Sequence, residues 1–96
     1  MAAYVIAHIE IHDPERYVKY TKLVPATVAQ YGGRFIARVG RAEVLEGDEP
    51  LPPRLVIIQF DSMERAREWW ASEEYRAAKE LRQATSTGTL FLIEGT

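Results

Sequence analysis

Tyr31-Gly-Gly-Arg-Phe-Ile-Ala-Arg-Val-Gly-Arg-Ala-Glu-Val-Leu-Glu-Gly47 is the stretch whose reading decides the fold. Gly32 and Gly33 supply the positive-φ freedom that a helix C-cap and a sharp reversal require. Beyond them Phe35, Ala37 and Val39 alternate with Arg34, Ile36 and Arg38, the period-two pattern of a strand. This phase puts Arg38 on the face of Ile36 and Arg34. Gly40 interrupts the pattern, as at a bulge or bend, and Arg41 to Glu46 resume it. Read as one strand, Arg34 to Glu46 would span roughly 40 Å, so its second half must bend or pair outside its own sheet. We expect the Gly40–Glu46 half to touch a second copy of the chain, with Val44 and Leu45 as its apolar contact.

Upstream of this stretch, Ala3 to Ile11 reads as a strand with Ala3, Val5, Ala7, Ile9 and Ile11 on one face and Tyr4, Ile6, His8 and Glu10 on the other. Asp13-Pro14-Glu15 then opens a helix, with Asp13 as N-cap and Pro14 in the first helical position. Tyr17, Tyr20, Thr21, Val24, Thr27, Val28 and Tyr31 form its inner stripe, which runs on through Pro25 and predicts a kink there, not an end. Downstream, Gly47 to Pro53 is a proline-rich connection and Arg54 to Asp61 a strand, with Val56, Ile58 and Phe60 sharing one face and Leu55, Ile57 and Gln59 the other. A second helix starts at Asp61 or Ser62 and breaks near Ser72. Met63, Ala66 and Trp70 are expected to face inward in its first part, with Trp69 flanking. Tyr75, Ala78 and Leu81 are the expected inner stripe of its second part, with Arg76, Lys79, Glu80 and Arg82 on a solvated face. Thr85 to Gly88 closes the helix, and Thr89 to Glu94 is the last strand.

The order strand–helix–strand–strand–helix–strand predicts an α+β, ferredoxin-like sandwich. It is a single domain over residues 1–96, a four-stranded antiparallel sheet with both helices on one face. The uncovered face would show Tyr4, Ile6, Ile36, Leu55, Ile57 and part of the last strand, more contiguous apolar surface than a monomer comfortably exposes. A homodimer closing two sheets face to face is the expected remedy. Hydrophobic residues at 47%, charged residues at 27% and a net charge of −2 are ordinary for a soluble chain and give no electrostatic reason to expect nucleic acid or a membrane. The absence of cysteine removes disulfides, thiolate metal sites and thiol nucleophiles. The first ten residues lack a basic n-region, and no apolar run approaches the roughly 20 residues of a membrane span. A cytoplasmic location is the expectation.

Tyr31-Gly-Gly-Arg-Phe, Arg38-x-Gly40, Val44-Leu-Glu-Gly47, Phe60-x-Ser-Met-Glu-x-Ala66, Trp69-Trp70-x-Ser72 and Glu74-Tyr75 together resemble a bacterial family known only as a domain of unknown function. The resemblance runs from about Tyr4 to Gly95. It implies membership of the dimeric α+β barrel superfamily, alongside antibiotic-biosynthesis-type monooxygenases and muconolactone isomerase-like proteins. It carries over no catalytic residue. Glu73 stands where such sequences often have proline. Gln59 stands where an acid is common, so no carboxylate mechanism on that strand is carried over.

His8, Glu10 and His12 invite a metal reading, but alternate strand residues lie about 6.8 Å apart, which separates the two imidazoles by roughly 13 Å. Bonds of about 2.1 Å to one ion do not bridge that span, and no metal or cofactor is expected. His8 is the candidate catalytic residue, a general acid–base near Gln59 or Arg38, against the alternative of a hydrogen-bonded polar group in a dimer core. Arg38 either grips a substrate carboxylate bidentately or pairs with an acid across a dimer. Tyr17, Tyr20, Trp69, Trp70 and Tyr75 either line a small-molecule cleft, the usual position in the superfamily, or are plain core.

The leading reading is a small homodimeric barrel that binds an organic molecule, with cofactor-independent catalysis as its fuller form. The alternative is a non-catalytic dimerisation or accessory protein-interaction module. A pocket holding His8 or Arg38 beside unsatisfied polar groups favours the first, and an apolar interior with Arg38 salt-bridged favours the second.

Overall fold

The computed structural model describes residues 1–38 and 40–96; Val39, which the strand pattern above includes, lies outside the described residues. The elements are β1 (Ala3–Ile11), α1 (Pro14–Gln30), β2 (Arg34–Arg38), β3 (Arg54–Phe60), α2 (Met63–Ala71), α3 (Glu73–Thr85) and β4 (Ser86–Glu94). All pairings are antiparallel, in the order β2-β3-β1-β4. This is the predicted ferredoxin-like arrangement.

Local chemistry accounts for the boundaries. The Asp13 side chain accepts a hydrogen bond from the Arg16 amide to open α1. The helix runs through Pro25 to Gln30, and Gly32, at φ 74°, takes the left-handed turn that ends it. Gly33 then sits so tightly on Phe60 and Val28 that a Cβ would lie 2.6 Å from the Phe60 ring. The Tyr31–Gly33 reversal is therefore packed onto the core. Ser62, not Asp61, caps α2 through the Arg65 amide. Ser72 both closes α2 and opens α3: its Oγ donates to the Trp69 carbonyl at 2.7 Å and accepts from the Tyr75 amide at 3.1 Å.

Four expectations are corrected. The second strand ends at Arg38, and residues 40–53 carry no regular structure, because β3 offers only Arg54–Phe60 to pair against. Leu45 accordingly stands 94% exposed. The irregularity falls at Ile36 and not at Gly40: Phe35 pairs with Ile58 and Ala37 with Ile57, so Ile36 is an extra residue, a β-bulge. The last strand begins three residues early, at Ser86, because β1 extends to Ile11 and pairs with it. Gly88 is required inside it, since a Cβ there would run into the His8 carbonyl oxygen across the ladder. In α2 and α3 the inner stripe is Ala66, Trp69, Tyr75, Ala78, Arg82 and Thr85. Trp69 is buried against Phe60 and Tyr75 while Trp70 turns outward, and Arg82 points into the core.

The core lies between helices and sheet, built from Val5, Ala7, Ile9, Val56, Ile58 and Phe60 below and Tyr17, Tyr20, Val24, Val28, Trp69, Tyr75 and Ala78 above. Its helix layer contains four aromatic rings, two of them stacked at 4.0 Å (Trp69–Tyr75) and two at 5.2 Å (Tyr17–Tyr20). A small cavity is left between these rings and the sheet.

Candidate functional site

A cavity of about 30 Å³ lies under α1, floored by Ala7, Ile9, Val56 and Ile58 and roofed by Tyr17, Tyr20 and Val24. Arg38, Arg54 and Arg82 reach its wall from β2, β3 and α3, and among the described residues no acidic one lines it. The bulge at Ile36 is what brings Arg38 here. One extra residue reverses the alternation, so Arg38 follows Phe35 onto the helix-covered face instead of Arg34 and Ile36 onto the open one. Its guanidinium rests 4.5 Å above the Phe35 ring and donates through Nη2 to the Thr21 carbonyl at 3.2 Å.

Arg82 is buried, and among the described residues its one hydrogen bond runs from Nε to Tyr75 Oη at 3.2 Å. Tyr75 Oη is in turn 3.0 Å from Tyr20 Oη. The Arg54 guanidinium lies 5.4 Å from the Tyr17 ring, and its Nε is buried with no partner among the described residues. Among the described residues none of these three arginines forms a salt bridge; the ion pairs all involve Arg16, Arg41, Arg65 or Arg76 on the surface.

The network is rich in donors and poor in acceptors. Tyr20 and Tyr75 carry two hydroxyl protons, their mutual bond uses one, and Tyr75 already accepts from Arg82. One phenolic proton and the Arg54 Nε–H are left without an acceptor among the described residues. Burial, then the neighbouring Tyr75, holds Tyr20 protonated far above the ordinary tyrosine range, so it serves as a donor and not as a base. Burial also raises Tyr17, with Arg54 and Arg82 drawing it partly back.

Of the residues singled out in the sequence, Tyr17, Tyr20, Trp69 and Arg38 line this cavity, and Tyr75 stands behind it as the link from Arg82 to Tyr20. Trp70 lies elsewhere, 39% exposed with Lys79 4.5 Å over its ring, on a shallow apolar groove against β4. His8 and Gln59 are on the opposite, open face of the sheet. His8 meets Phe91 edge-on at 5.5 Å, and Gln59 accepts from Arg34 at 3.3 Å. The sheet thus separates His8 from Arg38, one of the two residues the strand phase offers it as a neighbour, and leaves it on the face of the other, Gln59. His12 engages the Thr87 hydroxyl at 2.9 Å, and among the described residues no three His, Asp or Glu side chains gather as metal ligands. Arg54 and Arg82 are the residues that the sequence reading misses. The spacing of Tyr75, Ala78, Arg82 and Thr85 is the signal that places Arg82 inward. Nothing in the β3 pattern marks Arg54.

Among solved structures the chain resembles a protein of unknown function, RPA0582, from Rhodopseudomonas palustris (TM-score 0.78, 18% identity, covering 99% of this chain and 82% of that one). It also resembles a dimeric ferredoxin-like protein of unknown function from Jannaschia sp. CCS1 (TM-score 0.75, 10% identity, 99% and 100%). A third is SnoaB, a cofactor-independent oxygenase from Streptomyces nogalater (TM-score 0.70, 15% identity, 99% and 93%). At these identities the likeness establishes the fold. No curated protein matches the chain. The family model described as a domain of unknown function (DUF1330) matches residues 2–96, and the chain accordingly belongs to the DUF1330 family.

Proposed function

We propose that this protein binds a small organic molecule in the cavity between α1 and the sheet, and does so as a homodimer. The observation that carries the binding reading is the Arg54 Nε, a buried donor without a partner in the wall of a cavity also lined by Arg38 and Arg82. Native proteins pair the great majority of their buried polar groups, and an acceptor on a ligand entering this cavity would supply the partner that the chain does not. Arg38 stands beside this unsatisfied group and not in a salt bridge, the arrangement that favours ligand binding over a purely structural interior. A fragment screen followed by the indole Nε–H signal of Trp69, which donates to Thr27 Oγ1 at 3.1 Å, tests it. Saturable shifts are expected from some small organic compounds, and a signal that no compound moves overturns the reading.

The dimer follows from the open face of the sheet. Ile36, Phe91 and Ile93 are 47%, 51% and 55% exposed there, next to half-buried Tyr4, Ile6, Leu55 and Ile57. A second sheet laid across this patch would cover it and enclose His8. Sedimentation should give about twice the 11.0 kDa chain mass, and Ile57→Asp should shift the protein to monomer by burying an unpaired charge. Wild-type protein that sediments only as monomer at micromolar concentration refutes this. Cofactor-independent catalysis is the second reading. It is favoured by the protonated Tyr20 hydroxyl beside the arginines, an arrangement suited to stabilising negative charge on a substrate oxygen.

A further inference from the structure

We infer that the ligand of the α1–sheet cavity carries a carboxylate, with its two oxygens received by Arg54, Arg82 and the Tyr20 hydroxyl and its body apolar. The inference rests on the binding reading above and adds the chemical class.

Four observations lead to it. The first is the excess of donors: the Arg54 Nε–H has no acceptor, Arg82 spends only its Nε on Tyr75, and the Tyr20–Tyr75 pair keeps one proton unspent. Neutral ligands bring donors as well as acceptors; an anion brings acceptors alone, which is what this wall lacks. The second is charge. Arg38, Arg54 and Arg82 all line one cavity with no Asp or Glu among its described lining residues, so an anion placed there meets positive charge that the lining does not already neutralise. The third is size. A cavity of 30 Å³ takes about two water-sized groups, given that one water requires roughly 10–15 Å³ of such space. Two oxygens of a carboxylate fit that volume, and the four of a phosphate do not. The fourth is the remaining surface. Ala7, Ile9, Val24, Val56, Ile58 and Leu90 are apolar, so beside the two oxygens the lining offers mainly apolar contact, and the ligand's body, for which 30 Å³ leaves no room, lies at the cavity mouth.

Arginine suits the role because its planar fork matches the two oxygens of a carboxylate, whereas a lysine at the same place would present a point charge. Tyr75 is a positioning residue here. It accepts from Arg82 and thereby aligns both the guanidinium and the Tyr20 hydroxyl.

The test is titration of the folded, 15N-labelled protein with benzoate, benzamide and phenylphosphonate, followed at the arginine Nε–H signals. Arg67, exposed on α2, serves as the internal control. Benzoate should shift Arg54 and Arg82 saturably and leave Arg67 still, benzamide should not, and Arg54→Met should weaken benzoate on the order of 30-fold or more, the usual effect of removing one partner of a buried charged contact. If benzamide binds as tightly as benzoate, the pocket takes small molecules but the carboxylate inference fails. Phenylphosphonate binding more tightly than benzoate overturns it in favour of a larger anion. If none of the three moves Arg54 at tens of millimolar while the fragment screen still finds ligands, the carboxylate fails alone. If both are silent, the binding reading falls with it.

Discussion

Arg54→Met should make the unliganded protein more stable while abolishing its response to carboxylates. The wild-type side chain buries its Nε with no partner, and an unsatisfied buried donor costs about 1–3 kcal/mol. Methionine keeps an unbranched stem of similar reach, so the contacts of the aliphatic part with the cavity floor largely survive. What is lost is the guanidinium over the Tyr17 ring at 5.4 Å, worth about 0.5–1 kcal/mol at a half-exposed site. The balance is a gain of about 1 kcal/mol, which for a domain of this size raises Tm by about 4–8 °C. Differential scanning calorimetry in a buffer free of carboxylates reads it directly, and the same scan in benzoate should reverse the order, since only wild type gains ligand stabilisation. A variant that melts below wild type without ligand would refute the reasoning: it would mean that Arg54 already makes the contacts it needs within the chain.

Three further outcomes follow from separate elements. Gly88→Ala should lower stability by about 1–3 kcal/mol or more in urea titration, because its Cβ meets the His8 carbonyl oxygen and forces β1 and β4 apart. Deleting Ile36 removes the bulge but leaves Phe35 opposite Ile58, Ala37 opposite Ile57 and Arg38 opposite Val56; the protein should fold with Arg38 still on the helix-covered face, and an NMR structure of the variant with Arg38 on the open face would contradict the register. Tyr31→Phe removes the 2.7 Å hydrogen bond from Tyr31 to Glu74 Oε1, which joins the end of α1 to the start of α3. That bond lowers the Glu74 pKa from 4.5 and raises that of Tyr31 from 10.0, so its contribution is present between those values. It is lost as pH falls through the lowered Glu74 value or rises through the raised Tyr31 value. The stability difference between wild type and variant should therefore be widest near neutrality and vanish at both extremes, and a constant difference across pH would contradict the assignment.

Most of the architecture was legible because it rests on signals that act locally. Asp13-Pro14, Gly32-Gly33 and Ser72 each set a boundary through their own backbone or side-chain chemistry, and β1 shows its buried face by strict alternation from Ala3 to Ile9. Where a pattern needed a neighbouring strand of the same chain to become structure, alternation alone did not predict the outcome. Arg41 to Val44 alternate, yet, among the described residues, 41–46 belong to no strand, and alternation without a ladder remains coil. Trp69 and Trp70 are adjacent, so periodicity over nine helical residues could not choose between them. The choice was made by Tyr75, which lies beyond the Ser72 break and stacks on Trp69.

The site was the least legible part, for a reason that one residue makes plain. Strand alternation assigns Arg38 to the face of Arg34, and it would sit there were Ile36 paired in register. A bulge costs little, and leaves no mark in composition, because any residue can occupy it. Yet this one reverses every side chain after it, moving a guanidinium from the open face to the helix-covered one. The same register change separates Arg38 from His8 and joins it to Arg54 and Arg82, which come from elements 16 and 44 residues further along the chain by the numbering. A cluster of positive charge assembled from three elements, with no acid between them, cannot be read from any one segment. It becomes visible only when the donors and acceptors of a single cavity are counted together, and that count calls for an anion.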